Sequence, residues 1–365
     1  MDALTTPLNW QKIRLGDIAE IKRGIRITKN ELDIFGKYPV VSGGVGFLGY
    51  TNNFNRYENT ITIAQIWNGW LCQFSKNKFW ANDVCFCIYP NKDIIKNIFL
   101  YYFLKVNQNY LYEISNRNAT PYSISKDKIL DFEILLPSLN EQIAIANILS
   151  DLDRYLDALD ALILKKEGVK KALSFELLSQ RKRLKGFNQA WQRVRLGDIC
   201  EITTGSLDAN EMVSYGKYRF YTCAKEYYFI DKYAFDTEAI LISGNGAYVG
   251  YVHYYKGKFN AYQRTYVLDN FSEHIIFVKY FLTMFLQSHI QTNRNEGNTP
   301  YIVMATLKDF EILLPSLNEQ IAIANILSDL DNEIASLKNK KRQFENIKKA
   351  LNHDLMNAKI RVLEK

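Results

Sequence analysis

The sequence predicts an α+β protein: two similar mixed α/β units separated by a long antiparallel two-helix coiled coil, with pseudo-two-fold symmetry. Three observations predict it. The 23-residue stretch DFEILLPSLNEQIAIANILSDLD fills residues 131–153 and recurs unchanged at 309–331, 178 positions later. A second stretch, Trp10-Gln-Lys-Ile-Arg-Leu-Gly-Asp-Ile, returns as Trp191-Gln-Arg-Val-Arg-Leu-Gly-Asp-Ile. After each copy of the first stretch the apolar residues fall on a heptad pattern. An identity of that length marks a duplication, and its period is far too long for a solenoid. The predicted order is a unit over residues 1–137, a helix over 138–186, a unit over 187–315 and a helix over 316–365.

The helix starts are legible first. Ser138 and Glu141, and again Ser316 and Glu319, have the spacing of a capping box. Pro137 sits just outside, where it blocks extension backwards. The seam then runs through Leu149, Leu152, Leu156, Leu159, Ile163, Leu173 and Leu177. In the second copy it runs through Leu327, Leu330, Ile334, Leu337, Phe344, Leu351, Leu355 and Val362. Gly186 is the expected C-cap of the first helix, which gives it roughly 47 residues or about 70 Å. Charge sets the pairing. Residues 140–160 carry five acids against Arg154, while residues 165–185 carry eight Lys and Arg against Glu167 and Glu176. The second helix has the same polarity. Antiparallel pairing sets the acidic half of each helix against the basic half of the other, and it suits the helix dipoles.

The units carry short strand-like runs, such as Tyr38-Pro-Val-Val, Thr60-Ile-Thr-Ile and Ala239-Ile-Leu-Ile, each set followed by a helical pattern from Asp93 and from His274. Between the repeated ends the halves share only fragments. These are Phe35-Gly-Lys-Tyr against Tyr215-Gly-Lys-Tyr, Lys78-Phe against Lys258-Phe, and Thr120-Pro-Tyr against Thr299-Pro-Tyr.

Composition bounds the function. With 365 residues the chain suits two domains or more. No apolar run reaches the ~18 residues of a membrane span, and no signal-peptide pattern opens the chain. Five cysteines without a CxxC pair point to a reducing cytoplasm. A net charge of +7 permits nucleic acid as a partner without requiring it.

Enzyme signals fail on inspection. Gly44, Gly46 and Gly49 fit GxGxxG, but Tyr-Thr-Asn-Asn follows instead of a helix, so a turn is expected. Cys85 and Cys87 alternate in a strand and read as buried structural thiols, with one expected on each face. The four histidines form no motif, and no metal site is expected. What remains is two platforms with unlike polar loops, whose Arg, Lys, Asn, Gln, Ser and Thr side chains suit base edges and phosphates. In the first half the candidate DNA contacts are Lys22, Arg23, Lys29, Ser42, Tyr50, Asn52, Gln65, Asn68, Arg117, Asn118 and Thr120. In the second half they are Ser206, Thr222, Lys225, Asn245, Tyr248, Arg264, Arg294, Asn298 and Thr299.

This organisation resembles the specificity subunit of type I restriction-modification systems. The resemblance rests on the paired Leu-Pro-Ser-Leu-x-Glu-Gln segments at 136–142 and 314–320, the long helix after each, and the Trp…Arg-Leu-Gly-Asp-Ile opening of each variable region. It covers essentially the whole chain. It implies a non-catalytic recognition subunit with two target-recognition domains, each reading one half of a bipartite site in double-stranded DNA. Unlike loops then imply an asymmetric site. It also implies that the repeated segments dock two modification (methyltransferase) subunits, through Leu136, Pro137, Glu141 and Gln142 and through Leu314, Pro315, Glu319 and Gln320. No cofactor is expected on this chain. S-adenosylmethionine belongs to the methyltransferase partner, and ATP and Mg to two restriction subunits where a system has them. The helices set the spacer between half-sites, so about one added turn between Leu159 and Lys165 lengthens it. Two other readings stay open: the specificity module of a related restriction or phage-defence system, and a coiled-coil scaffold whose ends bind protein or carbohydrate.

Overall fold

The computed structural model describes residues 10–43, 46–67, 72–116, 122–293 and 300–362. Its contacts form two compact units, one running up to Asp160 and resuming at Asn339, the other covering Ala161–Lys338. Each unit holds one α/β body, the first part of one long helix and the last part of the other.

In the first unit the opening strand Gln11–Arg14 pairs antiparallel with Glu133–Leu136, in the register Gln11↔Leu136 to Arg14↔Glu133. Gln192–Arg195 and Glu311–Leu314 pair identically in the second unit. The two repeated stretches are thus hydrogen-bonded partners in each unit, and together they form one shared element. Leu15 N–H donates to Phe132 O at 2.9 Å, and Leu196 N–H to Phe310 O at 2.8 Å. The next residue is glycine in both. A Cβ on Gly16 would lie 3.2 Å from Leu130, and one on Gly197 3.0 Å from Lys308.

The first body carries a four-stranded antiparallel sheet in the order Ala19–Arg23, Cys85–Pro90, Thr60–Ala64, Cys72–Ser75. A three-stranded sheet of Phe47–Thr51, Tyr38–Val41 and Trp80–Ala81 completes it. The second body has a six-stranded sheet, ordered Glu201–Thr204, Thr265–Asp269, Phe235–Ser243, Val252–Ala261, Tyr218–Tyr221, Tyr228–Ile230. The expected body helices are Asn97–Val106 and Ile275–Asn293. Each core joins sheet, body helix and both long helices. Ile61, Ile88, Phe99 and Phe103 pack with Ile145, Leu149, Leu355 and Met356 in the first unit. Ile240, Leu268, Phe277 and Phe281 pack with Ile323, Leu327, Leu177 and Leu178 in the second. Burial of such side chains contributes about 1.5–3 kcal/mol each and holds helix to sheet.

The long helices are Leu139–Leu178 and Leu317–Met356, 40 residues each. The first ends well before Gly186. Gln180 takes a left-handed conformation at φ 63°, which breaks the helix without a glycine, and Ala358 does the same at φ 54° after the second helix. There Lys359 N–H reaches Asp354 O and Ala358 N–H reaches Leu355 O, the Schellman pattern. Gly186 is left-handed too, but it lies in the connection that follows.

Inside each unit the long-helix segments run antiparallel, as the charge pattern requires. In the first unit Asp153 pairs with Lys348, and Asp160 with Lys341 at 2.6 Å. In the second, Asp331 pairs with Lys170, Glu333 with Lys166 at 2.8 Å, and Glu167 with Lys338 at 2.6 Å. The seam residues Leu149, Leu156, Leu159, Ile163, Leu177, Leu327, Ile334 and Leu355 are buried.

Tyr102 O–H donates to Asp153 at 2.6 Å, and Tyr280 O–H to Asp331 at the same distance. Burial pushes both carboxyls up. The lysine and tyrosine bonds outweigh it, and each titrates below the ordinary aspartate range. The two tyrosines are pushed up by burial and by those carboxylates.

Two expectations need correcting. Cys85 and Cys87 do not point opposite ways: residues two apart on a strand share a face, and both thiols pack with Val41, Phe79 and Ala81. Burial pushes the thiols of Cys72, Cys85 and Cys200 up to about 12. Nor does the capping box close. Glu141 N–H reaches Ser138 Oγ at 3.4 Å, but the glutamate side chain turns inward to Trp10 and Arg361. Gly49 lies on the strand Phe47–Thr51, so no helix follows the glycines there.

Candidate nucleic-acid interface

The repeated Glu-Gln pair builds the base on which each set of loops stands. Trp10 Nε1–H donates to Glu141 at 3.2 Å, and Arg361 grips the same carboxylate at 2.6 and 3.0 Å. Trp191 and Arg183 hold Glu319 at 3.2, 2.8 and 2.7 Å. Gln142 donates to Pro137 O at 2.9 Å and accepts from Lys96 N–H at 2.9 Å. Gln320 donates to Pro315 O at 2.9 Å and accepts from His274 N–H at 3.0 Å. Each glutamine thus satisfies an amide just ahead of the body helix.

These contacts correct the expected docking set. Glu141, Gln142, Glu319, Gln320, Pro137, Pro315 and Leu314 are buried and Leu136 is half-buried, so their side chains tie each unit together rather than face a partner. The apolar residues of the repeat that are exposed in both copies are Ile143 and Ile321, at 43% and 36%; Leu317, at 51%, is exposed in the second copy while Leu139 is half-buried in the first. The heptad pattern passed over the two isoleucines. The available signal was an isoleucine off the seam in a segment repeated without change.

The loops gather on a common frame. In the first unit Gln65 N–H donates to Val84 O at 2.7 Å, and Gln65 O accepts from Ile124 N–H at 2.9 Å. In the second, Gly244 N–H donates to Arg264 O at 2.8 Å, and Gly244 O accepts from Ile302 N–H at 2.9 Å. Cys85 N–H to Asn82 O (2.9 Å) and Thr265 N–H to Tyr262 O (2.8 Å) make the turns themselves equivalent. Val84 and Arg264 therefore stand in the same place, as do Asp83 and Gln263. Gly24 and Gly205 pack against these turns so closely that a Cβ would lie 2.0 Å from Asn82 O or 1.9 Å from Ala261 O. No other residue fits there.

Around the first turn lie Arg23, whose Nε donates to Asp83 O at 2.6 Å, and Ser42, which accepts from Asn82 at 3.3 Å. Lys22 is exposed next to them, 3.0 Å from Glu20. Lys29, Tyr50 and Asn52 form a separate group on the loop of Asp33, whose carboxylate takes the Asn52 amide at 2.5 Å and whose N–H bonds Tyr50 O at 2.8 Å.

Around the second turn lie Ser206, Lys225, Asn245, Tyr248 and Arg264. The Lys225 ammonium sits 5.1 Å from the Tyr248 ring centre. Asn245 bridges Tyr301, and Gly246 N–H bonds Pro300 O at 2.9 Å. The end of the Thr-Pro-Tyr stretch is thus bound to this loop. In the first unit Tyr122 and Ser123 likewise pair with Trp67 and Ile66. Thr222 is withdrawn from the set because it is buried at 6% exposure. His253 is also internal. Burial pushes its imidazole down, and Nε2 meets Ala224 O at 2.9 Å. Asn68, Arg117, Asn118, Thr120, Arg294, Asn298 and Thr299 lie outside the described residues, as does Gly44. Among the described residues no group of three or more His, Cys, Asp and Glu could hold a metal ion, and no helix is long and apolar enough to cross a membrane.

The profile of the family described as "Type I restriction modification DNA specificity domain" matches twice, at residues 7–166 and 188–346. A type I restriction enzyme EcoDI specificity subunit of Escherichia coli is 40% identical over 162 residues, which span 44% of this chain and 35% of that subunit. A putative type I specificity subunit of Mycoplasma genitalium is 25% identical over 92% of this chain and 90% of its own length. The crystal structure of a type I restriction-modification S subunit from M. genitalium superposes with a TM-score of 0.73 at 21% identity, covering 97% of both chains. At that identity it speaks for the fold.

Proposed function

Because this chain belongs to the type I restriction-modification DNA specificity family, we propose that it selects the DNA site of such a complex. Each unit reads one half of a bipartite, asymmetric sequence. The observation that carries this is the shared frame with unlike side chains: Gln65, Asp83 and Val84 in one unit, Gly244, Gln263 and Arg264 in the other. Arg264 is exposed and of the type that bonds guanine bidentately. Val84 cannot make that contact. The chain supplies recognition, and chemistry comes from partners carrying S-adenosylmethionine. Two modification subunits dock, one on each repeated helix start, with Ile143 and Ile321 at the contact. Restriction subunits with ATP and Mg join where the system has them. Such a complex works in the cytoplasm.

The ruler role needs one change from its simplest form. Because the helix segments are paired within each unit, a turn added to one helix alone would put its ion pairs out of register. Seven residues added to both, after Asp160 and after Lys338, keep the heptad phase. They should lengthen the unspecified spacer by about three base pairs, at 1.5 Å per residue and 3.4 Å per pair, and leave both half-sites unchanged.

The direct test is a salt titration of duplex binding by the chain with its modification subunits. Phosphate contacts predict a steep fall of log K with log salt. A nearly flat response would favour the scaffold reading.

A further inference from the structure

The bodies have diverged, yet one surface device is duplicated in them outside the turns described above. In the first unit the Tyr38 and Phe54 rings meet at 5.1 Å and 58°, and Lys78 Nζ stands 4.6 Å over Phe54. In the second the Tyr218 and Tyr233 rings meet at 5.1 Å and 61°, and Lys258 Nζ stands 4.6 Å over Tyr233. The residue after each lysine, Phe79 or Phe259, is wholly buried and anchors it.

Three residues before each tyrosine, one aromatic side chain projects from a turn into solvent. Phe35 is 93% exposed and Tyr215 97%. The glycine that follows has no room for a side chain: a Cβ on Gly36 would lie 2.4 Å from Thr51 N, and one on Gly216 2.4 Å from Ile230 N. The tip is therefore held by backbone packing, although its ring contributes almost nothing to either core. A lysine comes next in both, Lys37 and Lys217, and both are exposed. In the first unit Lys37, Lys76 and Lys78 share an open cleft of about 490 Å³ with a lone acid, Glu58.

Lys258 is also 3.9 Å from Asp236, but an aromatic side chain held out in water contributes almost nothing to the fold, so its recurrence beside a lysine asks for a ligand common to both units. If the units read different half-sites, the bases differ and the sugar-phosphate backbone is what the half-sites share. We propose that Phe35, Lys37 and Lys78, and Tyr215, Lys217 and Lys258, form a sequence-independent clamp on the DNA backbone. The lysines meet phosphates, and the aromatic tip packs on the sugar edge beside them. This rests on the DNA-reading function above. It separates the residues that hold DNA from those that select its sequence.

The test compares the wild-type complex with two doubles, K37Q/K217Q and F35A/Y215A, all at exposed positions, so the fold is kept. Binding is measured on a duplex carrying the methylated motif and on a scrambled duplex of equal length, across a salt series. The lysine double should lose affinity for both duplexes by the same factor, with the salt slope reduced by about 1.8 for two phosphates released. The tip double should weaken both duplexes equally and leave the slope in place. Unchanged affinity, loss confined to the motif duplex, or loss of modification-subunit binding alone would overturn the clamp. Wild-type binding that ignores salt would instead remove the DNA-reading premise, so the two failures are distinguishable.

Discussion

Tyr102 and Tyr280 donate to Asp153 and Asp331 over the same 2.6 Å, and Trp10 and Trp191 reach Glu141 and Glu319 over the same 3.2 Å. Elsewhere in each unit, equivalent backbone turns carry valine in one and arginine in the other. At these two places the units agree where side chains hold the frame and differ where a side chain stands on it. Bonds that close a core tolerate no change because a buried polar group left unpaired is costly. A side chain projecting from a finished turn can be exchanged at little cost to the fold, and new recognition can arise there.

Breaking the agreement should have the largest effect. Arg361→Ala or Arg183→Ala leaves a buried carboxylate with tryptophan as its remaining partner, a loss of about 3–5 kcal/mol. Chemical unfolding should show similar losses for the two variants. A large loss in one unit with none in the other would break the equivalence. Next comes the difference itself. Arg264→Ala should cost about 1–3 kcal/mol of discrimination at one base pair, relaxing one half of the methylated motif and leaving the other half intact. Relaxation of both halves would count against separate reading.

A smaller effect follows from acid. The folded carboxyls of Asp153 and Asp331 titrate below their unfolded value, near 3.9 for an ordinary aspartate. Their stabilisation is present above that value and is lost as pH falls through the lowered folded one. The melting temperature should drop on acidification below about pH 4, and D153N/D331N should start lower at neutral pH and fall less steeply. The smallest effect concerns the thiols. With Cys72, Cys85 and Cys200 pushed up to about 12, alkylation at neutral pH should leave them unmodified until the protein unfolds. Rapid labelling of Cys85 in the folded chain would contradict its burial.

The helix pairing was legible because its signals are local: a heptad seam and opposed charge halves appear within a single stretch. The two-part organisation was legible from the repeat. The role of Glu141 was not. Its spacing from Ser138 suits a capping box, but its partner Arg361 lies 220 residues away, and no local pattern announces such a contact. The helix stop was missed for a related reason: Gln180 and Ala358 adopt a conformation that sequence assigns to glycine. Among the loops, residue type singled out the exposed Arg264 but also the buried Thr222, because type alone does not say which side of a turn is solvent. Phe35 and Tyr215 went unselected because exposure depends on what packs above a residue.

The most direct test is the methylation pattern produced by this chain. It would be expressed with the methyltransferase encoded beside it in a host without adenine methylation, and the DNA read by a modification-sensitive single-molecule method. Two units on one frame with unlike side chains predict methyladenine confined to a single asymmetric, two-part motif. A palindromic motif, or no new methylation with the partner shown folded and bound, would contradict it.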